Sequence, residues 1–172
     1  MFNVESVQEL DAINQVASRL KTKQKIAIRI NPDVQPHTHH YITTGSKENK
    51  FGLDMETAYK LFVESYRYPF LQFSGIHIHI GSQITESRPF VQAIKKCLQF
   101  IDCVSYAGSA VEYLNIGGGL GIVYSKEKPQ TAQQFAEVVI PLFKKHPKLK
   151  IVLEPGRFIS GNSGILGTKV LY

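Results

Sequence analysis

At 172 residues, 43% hydrophobic and 20% charged, the chain has the make-up of one globular domain with a sizeable core. No apolar run is long enough for a helical membrane span, and two cysteines are too few for a disulfide framework, so neither a membrane protein nor a cystine-stapled secreted domain is expected. The net charge of +6 raises nucleic acid as a partner, but the lysines of KTKQK (21–25) and KKHPKLK (144–150) fall at helix ends and before strands, without interleaved aromatics, so they read as solvated positions and no nucleic-acid partner is expected.

The first element is a short strand, FNV (2–4). Ser6-x-x-Glu9 then reads as a capping box, followed at helical spacing by Val7, Leu10, Ile13, Val16, Ala17 and Leu20. KIAIRINP (25–32) is a strand ended by Pro32, and a long polar loop, DVQPHTHHYITTGSKENKFG, fills 33–52. Asp54 caps the helix METAYKLFVESY (55–66). GIHIHIGSQ (75–83) is a strand, and RPFVQAIKKCLQFIDCVSYAG (88–108) is a helix ending at Gly108, with Cys97 and Cys103 as reduced packing residues. EYLNIGGG (112–119) runs from a strand into a glycine loop, Thr131-x-x-Gln134 caps AQQFAEVVIPLFKKH (132–146), and KLKIVLEPGR (148–157) is the last strand. The N-terminus has no basic region followed by an apolar one, so a cytoplasmic protein is expected.

Five strands alternating with helices imply parallel strands joined by crossovers, which a doubly wound sheet and a TIM barrel both satisfy. The parity along the strands separates them. Ile26, Ile28 and Ile30 share one face against Ala27 and Arg29, and Ile76, Ile78 and Ile80 alternate with His77 and His79. Leu114 and Ile116 alternate with Asn115 and Gly117, and Ile151 and Leu153 with Val152 and Glu154. Doubly wound strands are greasy on both faces, whereas barrel strands meet helices outside and present chemistry inside at their C-terminal rim. An α/β fold is therefore expected, with five parallel strands of a (β/α)8 TIM-like barrel, its second half.

On that rim the sequence places Arg29, His79 and Ser82, Gly117-Gly118-Gly119, and Glu154-Pro155-Gly156-Arg157. Consecutive glycines allow close backbone approach and can offer N–H groups to a phosphate, though a plain turn explains them as well. Glu154 beside Arg157 reads equally as a structural ion pair. His77-x-His79 has metal-ligand spacing, but the later strand ends supply GGG and EPGR rather than further ligands, so no metal is expected; His37, His39 and His40 read as solvated loop residues.

GIHIHIGSQ, YLNIGGGLGI, VLEPGRF and THHYITTGSKENKFG together resemble the pyridoxal-phosphate-dependent decarboxylases of the alanine-racemase-like barrel fold, and most of all their diaminopimelate-decarboxylating branch, which makes L-lysine. The resemblance runs along essentially the whole chain. It implies pyridoxal 5'-phosphate as cofactor, an amino-acid substrate that loses carbon dioxide, and a homodimer. It further implies that His79 stacks on the pyridine ring and that Glu154 binds the ring nitrogen. Gly117, Gly118, Gly119 and Ser82 would hold the phosphate, with Gly156 alongside. Arg157 would serve the phosphate or the substrate carboxylate, Arg29 would stand beside the cofactor on the inner wall, and Lys50 would lie near the dimer interface. His77, one layer deeper, is expected to be a hydrogen-bonded core residue.

The family's Schiff-base lysine belongs to the first barrel strand, and no lysine here follows that strand's pattern. Residues 1–172 are accordingly expected to be a partial barrel domain, an internal fragment without the first strands or the C-terminal β domain, inactive alone and exposing open sheet edges. Two other readings compete: a different basic-amino-acid decarboxylase of the same fold, or a truncated paralogue that binds a partner enzyme.

Overall fold

The computed structural model describes residues 1–34 and 51–172. Its strands are β1 (Phe2–Val4), β2 (Gln24–Arg29), β3 (Leu71–His77), β4 (Tyr113–Asn115) and β5 (Lys150–Val152). Its helices are α1 (Val7–Arg19), α2 (Met55–Val63), α3 (Arg88–Tyr106), α4 (Ala132–Val139) and α5 (Gly156–Ser160). All four pairings are parallel, and the strands lie in the order β1-β2-β3-β4-β5. Consecutive order decides the architecture: a doubly wound sheet reverses its order at a switch point, whereas a barrel wall adds each strand beside the last. The sheet is also strongly curved. Four strand spacings would hold β1 and β5 about 19 Å apart in a flat sheet, yet the Asn3 amide of β1 donates to the Glu154 carboxylate just beyond β5 at 3.2 Å.

Parity holds on the C-terminal side of one irregularity, a one-residue register shift between β2 and β3 where Ile26 pairs with Phe73 and Ala27 with Gly75. Ile26, Ile28, Ile76, Ile78, Leu114 and Ile116 are entirely buried against the helices. The concave face carries Asn3, Ala27, Arg29, Gly75, His77 and Asn115, set side by side by the register Asn3↔Ala27, Ala27↔Gly75, Arg29↔His77 and His77↔Asn115. Gly75 is needed there, because a Cβ would sit 3.1 Å from that of Ala27 and 3.2 Å from that of Tyr113. Outside, Phe62 stacks edge-on with Phe73 and Phe100, tying α2 to β3 and α3.

The helix caps follow the sequence with one shift. Asp54 and Thr131 cap α2 and α4 as expected, the latter in a complete capping box with Gln134. Ser6 accepts the Glu9 N–H, but the Glu9 carboxylate takes the N–H of Glu5 instead of reciprocating to Ser6. The fourth helix is shorter than expected. Pro141 has no N–H to donate and crowds the carbonyl four residues back, so α4 gives way after Val139 to a 3-10 turn over Ile140–Lys145.

The two cysteines part company. Cys97 is buried in the core, and burial pushes its thiol up to about 12, whereas Cys103 is exposed and is not the packing residue expected. Six residues along a helix turn the side chain by about 240°, away from the buried stripe. Thiol alkylation at neutral pH is expected to modify the peptide containing Cys103 and to leave Cys97 unmodified until denaturant is added; peptide mapping checks this.

Candidate active site

The polar residues of the concave face converge on Glu154. Its Oε1 accepts from Asn115 Nδ2 at 2.7 Å and from Asn3 Nδ2 at 3.2 Å, while its Oε2 stands 3.7 Å from His77 Nε2. Asn115 holds a second partner: its Oδ1 accepts the N–H of Gly117 at 2.9 Å, so one amide joins the carboxylate to the start of the glycine loop. Neither asparagine was singled out from the sequence, although Asn115 lies on the chemistry-bearing face by parity.

The three glycines are wedged between neighbouring strand ends. A Cβ on Gly117 would lie 2.3 Å from the Ile78 carbonyl oxygen, on Gly118 2.2 Å from that of Glu154, and on Gly119 2.2 Å from that of Gly81. Gly118 donates its N–H to His79 Nδ1 at 3.3 Å, which makes Nδ1 the unprotonated nitrogen of that ring. The loops after β3 and β4 are then laced together. Gln83, at φ 56°, exchanges both amide hydrogen bonds with the backbone of Ile122, and Ile84 bonds to Gly119 and Gly121. Gln83 went unnoticed in the sequence because only its left-handed backbone turns the side chain towards Ile122.

Burial, then the nearby Arg29 guanidinium, holds the His79 titration below the ordinary imidazole range. Burial does the same for His77; Glu154 opposes the shift, and Arg29 and His79 reinforce it. In both rings the surroundings favour the neutral form.

His77 corrects an expectation. It is buried as expected, at 5% exposure, but neither ring nitrogen has a hydrogen-bond partner among the described residues, because the carboxylate it faces lies beyond hydrogen-bond reach. Arg29 sits on the inner wall, ion-paired to Glu5 and 5.3 Å from the Phe51 ring. It lines a cavity of about 380 Å³ together with Phe51, His79, Gly81 and Ser82.

The structure thus gathers Glu154, His79 and the three glycines, with Ser82 and Arg29 along the adjoining cavity. It does not bring Arg157 to them. The EPGR segment leaves the strand and opens α5, whose first two residues are Gly156 and Arg157, and the guanidinium lies 6.0 Å from the Tyr124 ring. Among the described residues Glu154 forms no ion pair with Arg157. No group of three or more His, Cys, Asp or Glu side chains is placed as metal ligands among the described residues. Lys50, His37, His39 and His40, with most of the polar loop, lie outside the described residues.

Comparison with known proteins agrees with this arrangement. The family model for the pyridoxal-dependent decarboxylase, pyridoxal binding domain, matches residues 1–161. The diaminopimelate decarboxylase of Aquifex aeolicus is 45% identical over 172 residues, covering 100% of this chain and 41% of that protein. The Haemophilus influenzae enzyme of the same name is 43% identical, over 99% of this chain and 41% of its own length. The crystal structure of diaminopimelate decarboxylase from Helicobacter pylori complexed with L-lysine superposes with a TM-score of 0.80 at 35% identity, over 89% of this chain and 39% of that one. The chain spans about two fifths of the length of these relatives, and with its consecutive parallel strands and their inward-facing rim it belongs to the pyridoxal-dependent decarboxylases, within their pyridoxal-binding domain.

Proposed function

We propose that the protein carrying this chain decarboxylates meso-diaminopimelate to L-lysine, and that residues 1–172 form part of its cofactor-binding barrel. The observation that carries this is the Glu154 carboxylate, fixed through one oxygen by two amides on the same rim as His79 and the glycine loop. Identity of 45% along the full chain to a diaminopimelate decarboxylase supports that substrate over other basic amino acids. The partial-barrel reading is supported by apolar grooves left open at both ends of the sheet. One is lined by Phe2, Val16 and Leu20, the other by Phe135, Ile151 and Phe158.

The side chains present fit pyridoxal phosphate, which needs a carboxylate for a basic ring nitrogen, a face for a flat ring and donors for a phosphate. Among the described residues none donates a hydrogen bond to Glu154 Oε2, which is left to serve the first need. His79, its Nδ1 anchored to Gly118, is oriented to stack. Gly117 and Gly118 use their N–H groups within the chain. Their part is therefore to let Gly119, with the exposed Ser82 hydroxyl, come close to the phosphate. Gly156, with open space above it, lets the cofactor approach α5. Arg29 supplies positive charge on the inner wall, and Arg157 is left to reach the substrate carboxylate or the phosphate from the α5 side. When bound, the cofactor supplies an electron sink for the pair left by departing carbon dioxide. A carboxylate at the ring nitrogen keeps that nitrogen protonated and deepens the sink. No residue of this chain is assigned the covalent Schiff-base role.

We place the protein in the cytoplasm, which suits the free thiols of Cys97 and Cys103. A homodimer is proposed on the family resemblance alone, and sedimentation of the intact protein checks it.

The test is lysine and carbon dioxide formation from meso-diaminopimelate by the intact protein, with L-ornithine and L-arginine as competitors. Turnover of either competitor in preference to diaminopimelate would overturn the substrate assignment. His79→Ala is expected to weaken cofactor binding by about tenfold, since it removes one ring-stacking contact worth about 1–1.5 kcal/mol, and to slow turnover. Equilibrium dialysis of the cofactor against wild type and variant checks the first effect.

A further inference from the structure

Buried polar atoms are almost always hydrogen-bonded, and an exception asks for a reason. Both nitrogens of His77 are such exceptions, in a side chain with 7% exposure. The ring is held where it is by its strand: the register pairs it with Arg29 on one side and Asn115 on the other, and its carbonyl accepts the Ile30 N–H at 2.9 Å. That ladder keeps its Cβ on the concave face. Glu154 Oε2 stands 3.7 Å from Nε2, less than 1 Å outside hydrogen-bond distance. The other oxygen of the same carboxylate is already pinned by Asn115 and Asn3. One donor is therefore in reserve beside the one oxygen not yet held.

We propose that His77 is a positioning residue for Glu154, donating Nε2–H to Oε2 when the cofactor is bound and fixing the direction in which that oxygen meets the pyridine nitrogen. The inference rests on the assignment of Glu154 to the ring nitrogen. Its chemistry is consistent with the surroundings. The groups that face His77 are Glu154 beyond β5, Arg29 on β2, His79 beyond β3 and Glu5 beyond β1, and burial with the two nearby basic side chains keeps the ring neutral. A neutral imidazole has one N–H, and placing it on Nε2 is what removes the mismatch with the carboxylate. No group bonds atoms or changes oxidation state in this step; a hydrogen bond is formed and the carboxylate stops turning.

The experiment reads the ring nitrogen itself, in the intact holoprotein reconstituted with 15N-labelled pyridoxal phosphate. The 15N shift followed against pH gives the midpoint at which the ring nitrogen loses its proton. His77→Phe, which fills the space without a donor, is expected to lower that midpoint by about one pH unit, the equivalent of one hydrogen bond to a charged group. His77→Gln, whose amide nitrogen reaches the place of Nε2, is expected to restore most of it. A purely structural histidine would give equal loss, or no loss, in both variants, and either result overturns the proposal. Glu154→Gln separates this failure from failure of the underlying assignment. If it moves the midpoint and His77→Phe does not, the role of His77 is wrong; if it leaves the midpoint in place, the role of Glu154 is wrong and the proposal falls with it. Should His77→Phe not fold, 15N-histidine spectra of the wild-type holoprotein decide: protonation at Nε2 upholds the proposal and protonation at Nδ1 overturns it.

Discussion

Glu154→Ala in the intact protein is expected to reduce carbon dioxide release from meso-diaminopimelate by at least about a hundredfold, the scale on which a single preorganised electrostatic contact acts, while most of the cofactor stays bound. The separation of the two effects follows from where the contacts lie. In the proposed site the ring face falls to His79 and the phosphate side to the loop from Gly117 to Gly119 with Ser82, and neither role uses the Glu154 side chain. The loop meets Glu154 through the backbone instead: the Glu154 N–H donates to the Gly117 carbonyl at 2.8 Å, and its carbonyl oxygen lies where a Gly118 Cβ would fall. Alanine keeps both. What it removes is the carboxylate that Asn3 and Asn115 hold on the concave face. The two amides are then left without their shared acceptor, so a modest loss of stability accompanies the loss of rate. Cofactor content by absorbance, measured beside turnover, checks the separation. Undiminished turnover would remove Glu154 from its assigned role, and equal loss of cofactor and rate would make it a structural residue.

That Glu154, His79 and the glycine loop share one rim was legible from strand parity, because alternation in a β-strand is fixed by the backbone and needs no knowledge of neighbours. The partners of those residues were not legible. Asn3 and Glu154 are 151 positions apart and meet only because the sheet curls. The unsatisfied state of His77 likewise depends on what three other strands place around it. The surroundings of Arg157 were not legible for a local reason: Pro155 ends the extended run, and α5 begins at the next residue, so strand alternation no longer says where the guanidinium lies. Gln83 was hidden by a positive φ that a non-glycine residue seldom signals. Alternation thus carried the faces, and register and backbone exceptions carried the contacts.

Gly118→Ala and Gly156→Ala form the second decisive pair, because the two glycines belong to neighbouring motifs and differ in surroundings. Gly118 does not have positive φ, so its need for glycine is steric: an added Cβ would lie 2.2 Å from the Glu154 carbonyl oxygen, a backbone atom with no freedom to swing aside. Either the loop or the β5 end must move. Movement of the loop breaks the Gly118–His79 hydrogen bond, and movement of β5 shifts the Glu154 carboxylate from its two amides. A destabilisation of about 1–3 kcal/mol is expected, the range for forcing one extra methyl into packed structure, with cofactor affinity falling at least about tenfold if His79 and Glu154 hold the roles proposed for them, because one or the other is displaced. Among the described residues beyond its own helix turn, none has a heavy atom within 4 Å of a Cβ added to Gly156, which already has helical backbone in α5. Alanine there is expected to hold or raise stability by about 0.5–1 kcal/mol, since it restricts the unfolded chain. Any loss of cofactor affinity in Gly156→Ala would therefore arise from the cofactor meeting the new methyl group and not from the fold. Denaturant unfolding and cofactor titration of both variants check this. A Gly118→Ala protein as stable and as tightly loaded as wild type would mean that the loop does not stand against Glu154 when the cofactor is bound, and the glycine cradle would have to be assigned elsewhere.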